Sequence, residues 1–318
     1  MKVLFLVQKE QRVILDRLYE GVAASCECDI RWLDRDEQAN LKKYFKNNVN
    51  IEDYDRILFF LRFKQEIRQA SFIRTIPRLA ILEHDAYQNY ISCKYAGKFS
   101  SYYRKMPWAR VISSGSTVAQ KLQDEGFDAV FVAKGYDEKS LCNLGLERNI
   151  ELAFVGSLKS GAYSERKVFL DKLALVEPLK IMRTNSGEEY LRALNSIRFF
   201  VSADVGMGEY MIKNFEAMAC GCVLFAYDQG ADENEALGFI DMYNVVLYRS
   251  VEEFREKLAQ LRRNPDVADS IAEHGCQLVN ERFRFSDLGK EIARQLHDPL
   301  RDHKVGSFWQ RVKCSLLG

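Results

Sequence analysis

The stretch RFFVSADVGMGEYMIKNFEAMACGCVLFA, residues 198–226, contains a complete strand–helix–strand unit. Residues 198–202 and 222–226 are apolar runs of strand length, and 209–219 between them has the apolar spacing of a helix that ends before Gly221. Two strands joined through such a helix lie parallel in one sheet, with the helix packed on its face. This stretch therefore predicts an α/β fold.

The same alternation extends to both sides of this stretch. Strand-like runs occupy residues 3–7, 29–33, 56–61, 78–82, 110–113, 129–133, 151–155, 180–183 and 243–248. Helical spacing occupies residues 11–24, 116–125, 165–175, 186–194, 251–262, 267–282 and 286–297. A polar stretch, 134–149, interrupts the rhythm. We therefore predict two Rossmann-like, doubly wound domains, 1–140 and 150–285, that face an interdomain cleft, with 286–318 packing back on the first domain.

Composition and charge argue against several classes of protein. The chain has 318 residues, and its 46 basic and 45 acidic residues give a net charge of +1. This balance disfavours a DNA-wrapping or an acidic disordered protein, and no apolar run approaches the ~20 residues of a transmembrane helix. The start MKVLFLVQKEQ (1–11) is interpreted as a strand rather than a signal peptide, so a cytoplasmic location is expected. The 8 cysteines include no C-x-x-C pair, which predicts reduced thiols rather than a zinc site.

The predicted pair of sheets gives ligands a defined place to bind. In open parallel sheets, ligands bind beyond the carboxyl ends of the strands. Two facing sheets bring these ends, and the helix N-termini beside them, around one cavity, which suits a phosphate-bearing ligand. We therefore expect an enzyme with an interdomain site, and the residues that follow strands are its first candidates.

Two candidate segments follow predicted strands of the first domain. Glu83, His84 and Asp85 come directly after 78–82. An imidazole there can contact a sugar hydroxyl or a phosphate, or accept a proton, and a capped turn or local ion pair is the alternative. The segment 134–137, Lys-Gly-Tyr-Asp, follows 129–133, where a glycine permits close approach of a ligand, and a plain linker turn is the alternative.

The second domain offers further candidates. Gly156, Ser157 and Lys159, with Arg166 on the next helix, supply backbone amides, a hydroxyl and cations that could hold a diphosphate. Surface cations are the alternative there. The acidic run 228–235 is explained more simply by its place at a helix start.

Glu216 lies in the middle of a helix among apolar neighbours. A carboxylate in such surroundings needs a partner or a polar ligand, such as the hydroxyls of a ribose or another sugar. Lys213 precedes it by three residues on the same helix face, so a plain ion pair is the alternative.

Together these segments resemble the group 1 (family 4-like) glycosyltransferases. The run 216–221, E-A-M-A-C-G, matches that family's most specific signature residue for residue, while 154–157 resembles its F-V-G-R and 134–137 its N-G-V-D. The pair His84-Asp85 looks like its H-D. The resemblance implies a GT-B fold, a nucleotide-sugar donor, no metal and no other cofactor. It further implies retaining transfer to a glycan, glycolipid or other cell-surface acceptor, as in polysaccharide or lipopolysaccharide biosynthesis.

Two departures make the chain similar to a divergent branch, such as the short spore-maturation-like glycosyltransferases. The family commonly has a second glutamate eight positions before the first, where this chain has Gly208, with Glu209 one residue out of register. Its glycine-rich loop after the first strand is absent, because residues 7–10 are Val-Gln-Lys-Glu.

The resemblance also implies roles for individual residues. Glu216 is expected to hold the donor ribose, Lys159 or Arg166 to neutralise the diphosphate, and His84, with Asp85, to act at the transferred sugar. The expected donor side also includes Gly156, Ser157, Lys213 and Glu209. The expected acceptor side includes Glu83, Tyr87 and Lys134.

A basic and aromatic region, residues 56–110, suggests how an acceptor is bound. It contains eleven cations and three acids, and seven aromatic residues between 87 and 108 interleave the cations. Such a surface suits sugars, anionic glycans or lipid headgroups, and a solvated face above buried aromatic rings is the alternative. No nucleic-acid motif accompanies it, so nucleic acid is not an expected partner. The weakly amphipathic segment 305–317 could rest on the inner face of a membrane or pack across the first domain.

Two other functions stay open. One is a different enzyme of the same architecture, such as a nucleotide-sugar epimerase or a phosphorylase-like protein. The other is a non-catalytic protein that binds a nucleotide or a glycan. An NAD dehydrogenase is disfavoured because no G-x-G-x-x-G follows the first strand.

Overall fold

The computed structural model describes residues 1–158 and 164–303, and its strands form two separate parallel sheets. The first sheet consists of β1 Lys2–Gln8, β2 Glu27–Leu33, β3 Arg56–Phe60, β4 Leu79–Glu83, β5 Arg110–Ser113 and β6 Asp128–Phe131, in the spatial order β2-β1-β3-β4-β5-β6. The second consists of β7 Ile150–Val155, β8 Lys180–Met182, β9 Ile197–Ser202, β10 Val223–Tyr227 and β11 Val246–Tyr248, in the order β11-β10-β9-β7-β8. We call the first sheet with its helices the N-terminal lobe and the second with its helices the C-terminal lobe.

Helices surround both sheets. Those of the N-terminal lobe are α1 Arg12–Ala23, α2 Arg35–Ala39, α3 Leu41–Asn48, α4 Phe63–Glu66, α5 Ala70–Ile73, α6 Lys98–Tyr103 and α7 Ser116–Asp124. Those of the C-terminal lobe are α8 Ser164–Ala174, α9 Glu188–Ser196, α10 Ile212–Ala219, α11 Ala231–Leu237, α12 Val251–Arg263 and α13 Pro265–Arg282, and α14 Phe285–His297 follows them. None of the described helices combines the length and apolarity needed to cross a membrane.

Strand β1 shows why the first sheet is buried on both faces. Successive side chains of a strand point to opposite faces. Val3 and Phe5 belong to the hydrophobic cluster that contains residues of α1 and α14, whereas Leu4 and Leu6 belong to the cluster that contains residues of α3. A parallel sheet covered on both sides is the doubly wound arrangement that the sequence predicts. The predicted fold class, two such α/β units, is confirmed.

The last described helix, α14, returns to the N-terminal lobe and crosses α1. A Cβ placed on Gly289 would lie 2.5 Å from the carbonyl carbon of Gly21, so these two glycines allow the helices to touch along their backbones. Arg110 donates to the carbonyl of Gln295 at 2.6 Å, and Arg56 donates to that of Leu296 at 2.8 Å. The amino ends of β3 and β5 are thereby tied to the end of α14.

Two local features differ from the sequence-based prediction. The helix predicted over 209–219 begins only at Ile212, because Asp204 Oδ2 accepts hydrogen bonds from the Met211 amide at 3.1 Å and the Asn214 side chain at 2.8 Å. The short helices α2 to α6 were not predicted. The first of them begins at a capping box, in which Asp34 and Glu37 each accept a hydrogen bond from the other's backbone amide.

Candidate active site

A cavity of about 560 Å³ lies between the two lobes, and the carboxyl ends of strands from both sheets line it. Gln8, Phe60 and Glu83 are the last residues of β1, β3 and β4, and Ser202 is the last residue of β9. Both sheets therefore direct their carboxyl edges at the same space, as facing parallel sheets require.

Arg166 of α8 forms one wall of this cavity through a buried ion pair. Its Nη2 lies 2.5 Å from Asp204 Oδ1, and both side chains are under 10% exposed. Asp204 Oδ2 also accepts a hydrogen bond from Ser202 at 2.9 Å, while its backbone carbonyl accepts one from Gln229 at 2.7 Å. The carboxylate thus fixes the guanidinium at the cavity, where a neighbouring anion could share its charge.

A second buried ion pair connects the lobes. Lys134, which follows β6, donates from Nζ to Oε1 of Glu209 at 2.5 Å, and Ser114 donates to Oε2 of the same carboxylate at 3.3 Å. Burial raises the pKa of Glu209 to about 7, although the Lys134 ammonium acts in the opposite direction. A Cβ on Gly115 would lie 2.5 Å from Glu209 Oε2. The backbone of the N-terminal lobe therefore contacts this carboxylate at a position where no side chain fits.

The segment after β4 reaches the cavity from the N-terminal side. Glu83 is buried, accepts a hydrogen bond from the Asp85 amide at 2.8 Å, and has a pKa well above its ordinary value because of that burial. His84 is half-buried and packs edge-on against Phe60 with 4.8 Å between ring centroids. Burial, with a smaller contribution from Lys134, lowers its pKa to about 3, so the imidazole is neutral at pH 7. Asp85 is exposed at the cavity.

Helix α10 carries Lys213 and Glu216 beside Tyr190 of α9. The Tyr190 hydroxyl donates to Glu216 Oε2 at 2.6 Å, and Lys213 Nζ lies 3.4 Å from the same hydroxyl. Burial raises the pKa of Glu216 and lowers that of Lys213. Among the described residues, Lys213 lines the cavity, whereas Glu216 lies one helical turn behind it. The two residues therefore share one polar cluster with Tyr190 between them, in place of a simple ion pair.

The family follows from the C-terminal half of the sequence. A family model described as glycosyl transferase-like matches residues 140–298, which is half of the chain. The chain belongs to this family. No curated protein sequence matches the chain.

Solved structures of glycosyltransferases share the fold of this glycosyl transferase-like protein. The chain is similar to HepE of Anabaena in complex with UDP and glucose, with a TM-score of 0.69, 15% identity, and coverage of 94% of this chain and 100% of that chain. It is also similar to sucrose-phosphate synthase from Thermosynechococcus elongatus, with a TM-score of 0.65, 10% identity, and coverage of 99% and 100%.

A third similar structure is the β-glucosyltransferase of phage T4, with a TM-score of 0.60, 10% identity, and coverage of 94% of this chain and 100% of that chain. The GT-B fold and the resemblance to group 1 glycosyltransferases are confirmed. The spore-maturation-like branch stays a prediction.

The structure brings only part of the predicted site of this glycosyl transferase-like protein to the cavity. Its described lining includes Glu83, His84, Asp85, Lys134, Arg166 and Lys213. Gly156 directly follows β7, and a Cβ there would lie 2.8 Å from the Phe154 ring, so a larger residue would require this ring to shift. Ser157 is half-buried one residue later, and Lys159 lies outside the described residues.

Among the described residues, Glu209 and Tyr87 do not line the cavity, whereas Lys134 does and forms an ion pair that the sequence did not predict. Glu209 was expected beside the donor, but its carboxylate is buried against Lys134 and Ser114. Lys134, expected on the acceptor side, is the other half of that ion pair. Tyr87, expected to contact an acceptor, is only 2% exposed and packs in the core.

The aromatic residues of the basic region also need a correction. Most of them are buried in the N-terminal core, and the alternative of a solvated basic face above buried rings describes them better. The buried members are Tyr87, Phe99, Tyr102, Tyr103 and Trp108. Tyr90 and Tyr95 are half-buried.

Sequence reasoning missed several residues at or beside the cavity of this family member. Asp204 follows β9 by two residues, so the rule that ligands meet strand ends could have found it. Arg62 and Lys64 follow β3 and could have been found in the same way. Tyr190 is on a helix, and no local pattern in the sequence marks it as a partner of Glu216.

Proposed function

We propose that this chain is a glycosyltransferase that moves a sugar from a nucleotide-sugar donor to a glycan or lipid-linked acceptor. The observation that carries the proposal is the cavity between the lobes, where Arg166 and Lys213 of the C-terminal lobe face His84 and Asp85 of the N-terminal lobe. The diphosphate of a nucleotide sugar would bind the cations of the first wall, and an acceptor hydroxyl would lie against the opposite wall. The structures of HepE with UDP and with UDP-glucose support this choice of donor.

Stabilisation of the leaving group is the main catalytic contribution in this proposal. Cleavage of the sugar–phosphate bond leaves negative charge on the diphosphate, and fixed cations in a water-poor cavity lower the energy of that charge. Arg166 is held in place by Asp204, so this cation does not need to reorganise during the reaction.

We propose that these cations act without a metal ion. In the described ranges, 1–158 and 164–303, no three His, Cys, Asp or Glu side chains are grouped so that they could hold one. The cationic wall supplies the charge that a metal would otherwise contribute.

His84 contacts the transferred sugar or its phosphate as a neutral imidazole. With its pKa lowered to about 3, it donates or accepts a hydrogen bond at neutral pH but carries no charge. A neutral hydrogen-bonding group beside the reacting sugar is compatible with retaining transfer, in which the departing diphosphate itself accepts the proton of the acceptor hydroxyl. We therefore propose retention.

Glu216 binds the donor ribose in this proposal. Within residues 1–158 and 164–303, its carboxylate accepts one hydrogen bond, from Tyr190, and its second oxygen can accept a ribose hydroxyl. Movement of the Lys213 side chain, which separates Glu216 from the cavity, would open the path to the ribose.

A thermal-shift panel of UDP-, GDP-, dTDP- and ADP-linked sugars tests this function. We expect one nucleotide class to stabilise the wild type, and Glu216→Ala to abolish that shift. Glu188→Ala, an exposed glutamate on α9, is the matched control and should retain the full shift. Release of free nucleotide from the stabilising donor should accompany binding. A wild type that no nucleotide sugar stabilises would contradict the proposal, and Glu216→Ala with an undiminished shift would remove the ribose role.

A further inference from the structure

The N-terminal wall of the interlobe cavity is cationic as well. Arg62 and Lys64, which follow β3, line it together with Tyr95 and Gln88. The Arg62 guanidinium is 37% exposed, lies 3.7 Å from Glu10 and donates to the Gln8 side chain at 3.2 Å. Lys64 is exposed. The donor diphosphate already has Arg166 and Lys213 on the opposite wall, so these further cations need another explanation.

Three arginines elsewhere in the basic region, residues 56–110, already have structural partners. Arg56, Arg78 and Arg110 lie at the amino ends of strands, at the edge of the sheet away from the cavity. Each donates to a backbone carbonyl: that of Leu296, Ile51 or Gln295. These three arginines are therefore explained by packing.

Among the described residues, three lysines at or near Tyr95, which lines the cavity, have no such hydrogen bond. In the part of the chain that the structure describes, Lys64, Lys94 and Lys98 form no salt bridge, and all three side chains are exposed. Two of the three acids in the region, Glu66 and Glu83, are buried, and that burial raises both pKa values. Asp85 is exposed on this wall and Glu10 lies 3.7 Å from Arg62, so the charge that solvent meets there is positive because of the three lysines.

Tyr95 gives this charge a fixed aromatic platform. Its ring packs edge-on against Phe63, with 5.4 Å between centroids, and Phe63 in turn stacks on Phe99 at 3.7 Å. Lys94 Nζ lies 4.9 Å and Lys98 Nζ 5.9 Å from the centroid of the Tyr95 ring. Aromatic rings pack against the apolar faces of sugars, and the ammonium groups beside this ring would attract an anion at the edge of such a sugar.

We propose that the acceptor is an anionic saccharide, which places a sugar ring on Tyr95 and a phosphate or carboxylate group among Lys64, Lys94 and Lys98. This inference rests on the proposed glycosyltransferase function and specifies the acceptor of the same cavity. A neutral acceptor would gain no electrostatic attraction from Lys64, which lines the cavity, or from Lys94 and Lys98, which lie over the Tyr95 ring. An anionic one would neutralise them and be drawn to the cavity by their field.

Binding of small probes in the presence of saturating UDP tests the inference. The probes are glucose, glucuronic acid, glucose 6-phosphate and inorganic phosphate, titrated by protein-observed NMR. We expect glucuronic acid and glucose 6-phosphate to bind at least tenfold more tightly than glucose, and inorganic phosphate alone to bind more weakly than glucose 6-phosphate. The two anionic sugars distinguish a carboxylate-bearing acceptor from a phosphate-bearing one.

Matched charge-reversal variants assign the preference to this wall. Lys94→Glu/Lys98→Glu should remove the preference for anionic sugars, whereas Lys42→Glu/Lys46→Glu, two exposed lysines with the same spacing on α3, should retain it. Tyr95→Ala should weaken the binding of all three sugars. A preference that survives in Lys94→Glu/Lys98→Glu, or glucose that binds as tightly as glucuronic acid, would overturn the proposal.

Two further results separate this inference from its alternatives. If phosphatidylglycerol vesicles bind through Lys94 and Lys98 while the charged and neutral sugars bind equally, the wall is a lipid-binding surface and the acceptor proposal is wrong. If no nucleotide sugar stabilises the wild type, the proposed function itself fails. Stabilisation by a donor without any charge preference among the sugars overturns the acceptor class alone.

Discussion

The ammonium of Lys134 lies 2.5 Å from the carboxylate of Glu209, and the two residues come from different lobes. Both side chains are at most 5% exposed. A buried ion pair of this kind adds little net stability compared with an apolar pair, but loss of one partner leaves an uncompensated charge. The contact therefore makes the relative position of the lobes depend on both residues being present.

Lys134→Met should destabilise the protein by about 3 kcal/mol, because it leaves the Glu209 carboxylate buried without its cation. The double variant Lys134→Met/Glu209→Gln should recover most of that loss. Urea denaturation of the single and double variants measures both effects. Arg192→Met, which removes an exposed ion pair with Glu188, is the control and should cost less than about 0.5 kcal/mol. A double variant no more stable than Lys134→Met would show that Lys134 acts through something other than this charge.

Gly115→Ala should separate the lobes. The added Cβ would lie 2.5 Å from Oε2 and 2.8 Å from Cβ of Glu209, and overpacking of this kind costs about 1–3 kcal/mol. We expect a larger radius of gyration in small-angle X-ray scattering and a smaller thermal shift with the donor. Ser116→Ala, next to the contact on α7, should leave both measurements unchanged. An unaltered scattering curve for Gly115→Ala would mean that Glu209 moves aside and the lobes do not.

The sequence was sufficient to predict the two parallel sheets, because apolar runs and helical spacing alternate along the whole chain. It also indicated the right strand end: Glu83 is the last residue of β4, His84 and Asp85 follow it, and all three line the cavity. These predictions succeed because strand direction alone determines which end of a strand faces a ligand.

Partners distant in sequence could not be predicted in this way. Glu209 was interpreted as a donor-binding residue, but its carboxylate forms an ion pair with Lys134, which is 75 positions away in the sequence. For Glu216, helical spacing offered an ion pair with Lys213 as the alternative to ribose binding, and neither reading included Tyr190 of a different helix, which donates to its carboxylate. Such contacts depend on how the lobes and helices pack against one another, and a local sequence pattern does not determine that packing.

Glu66 should make the stability of the protein depend on pH. Burial raises its pKa from 4.5 to about 7, and its hydrogen bond from Tyr102 offsets this only in part. Between pH 4.5 and pH 7 the carboxyl ionises in the unfolded chain but not in the folded one, so its contribution to stability is lost as the pH rises through this window. The loss amounts to about 3 kcal/mol.

Glu66→Gln tests this contribution, because the amide keeps an acceptor for Tyr102 but does not titrate. Its free energy of unfolding relative to wild type should rise by about 3 kcal/mol between pH 4 and pH 8, measured by urea denaturation. Glu52→Gln changes an exposed carboxyl and is the control. Its free energy of unfolding should change with pH in the same way as that of wild type. Parallel curves for Glu66→Gln as well would show that this carboxyl ionises normally in the folded protein.

Lys213→Met should weaken donor binding more than it affects stability. Burial lowers the pKa of Lys213, because the charged ammonium is poorly solvated in the free protein. A bound anion would stabilise the charged form. We expect the Kd for the stabilising nucleotide sugar to rise about tenfold, the size of one lost charge-assisted hydrogen bond. Calorimetric titration measures it, with Lys172→Met on the exposed face of α8 as the control. Equal affinities in the two variants would remove Lys213 from the donor site.

His84 should contribute to catalysis without giving the reaction an ionisation near pH 6.5. Its pKa is lowered to about 3, so the side chain stays neutral from pH 5 to pH 8 and can act only as a hydrogen-bonding group. His84→Gln should lower kcat by about 10–100-fold, in the range of one lost hydrogen bond in the transition state. The shape of the pH profile between pH 5.5 and pH 8 should be the same in both proteins. A step near pH 6.5 that is present in wild type and absent in His84→Gln would show that the imidazole ionises with an ordinary pKa in the working enzyme, and would contradict the neutral role.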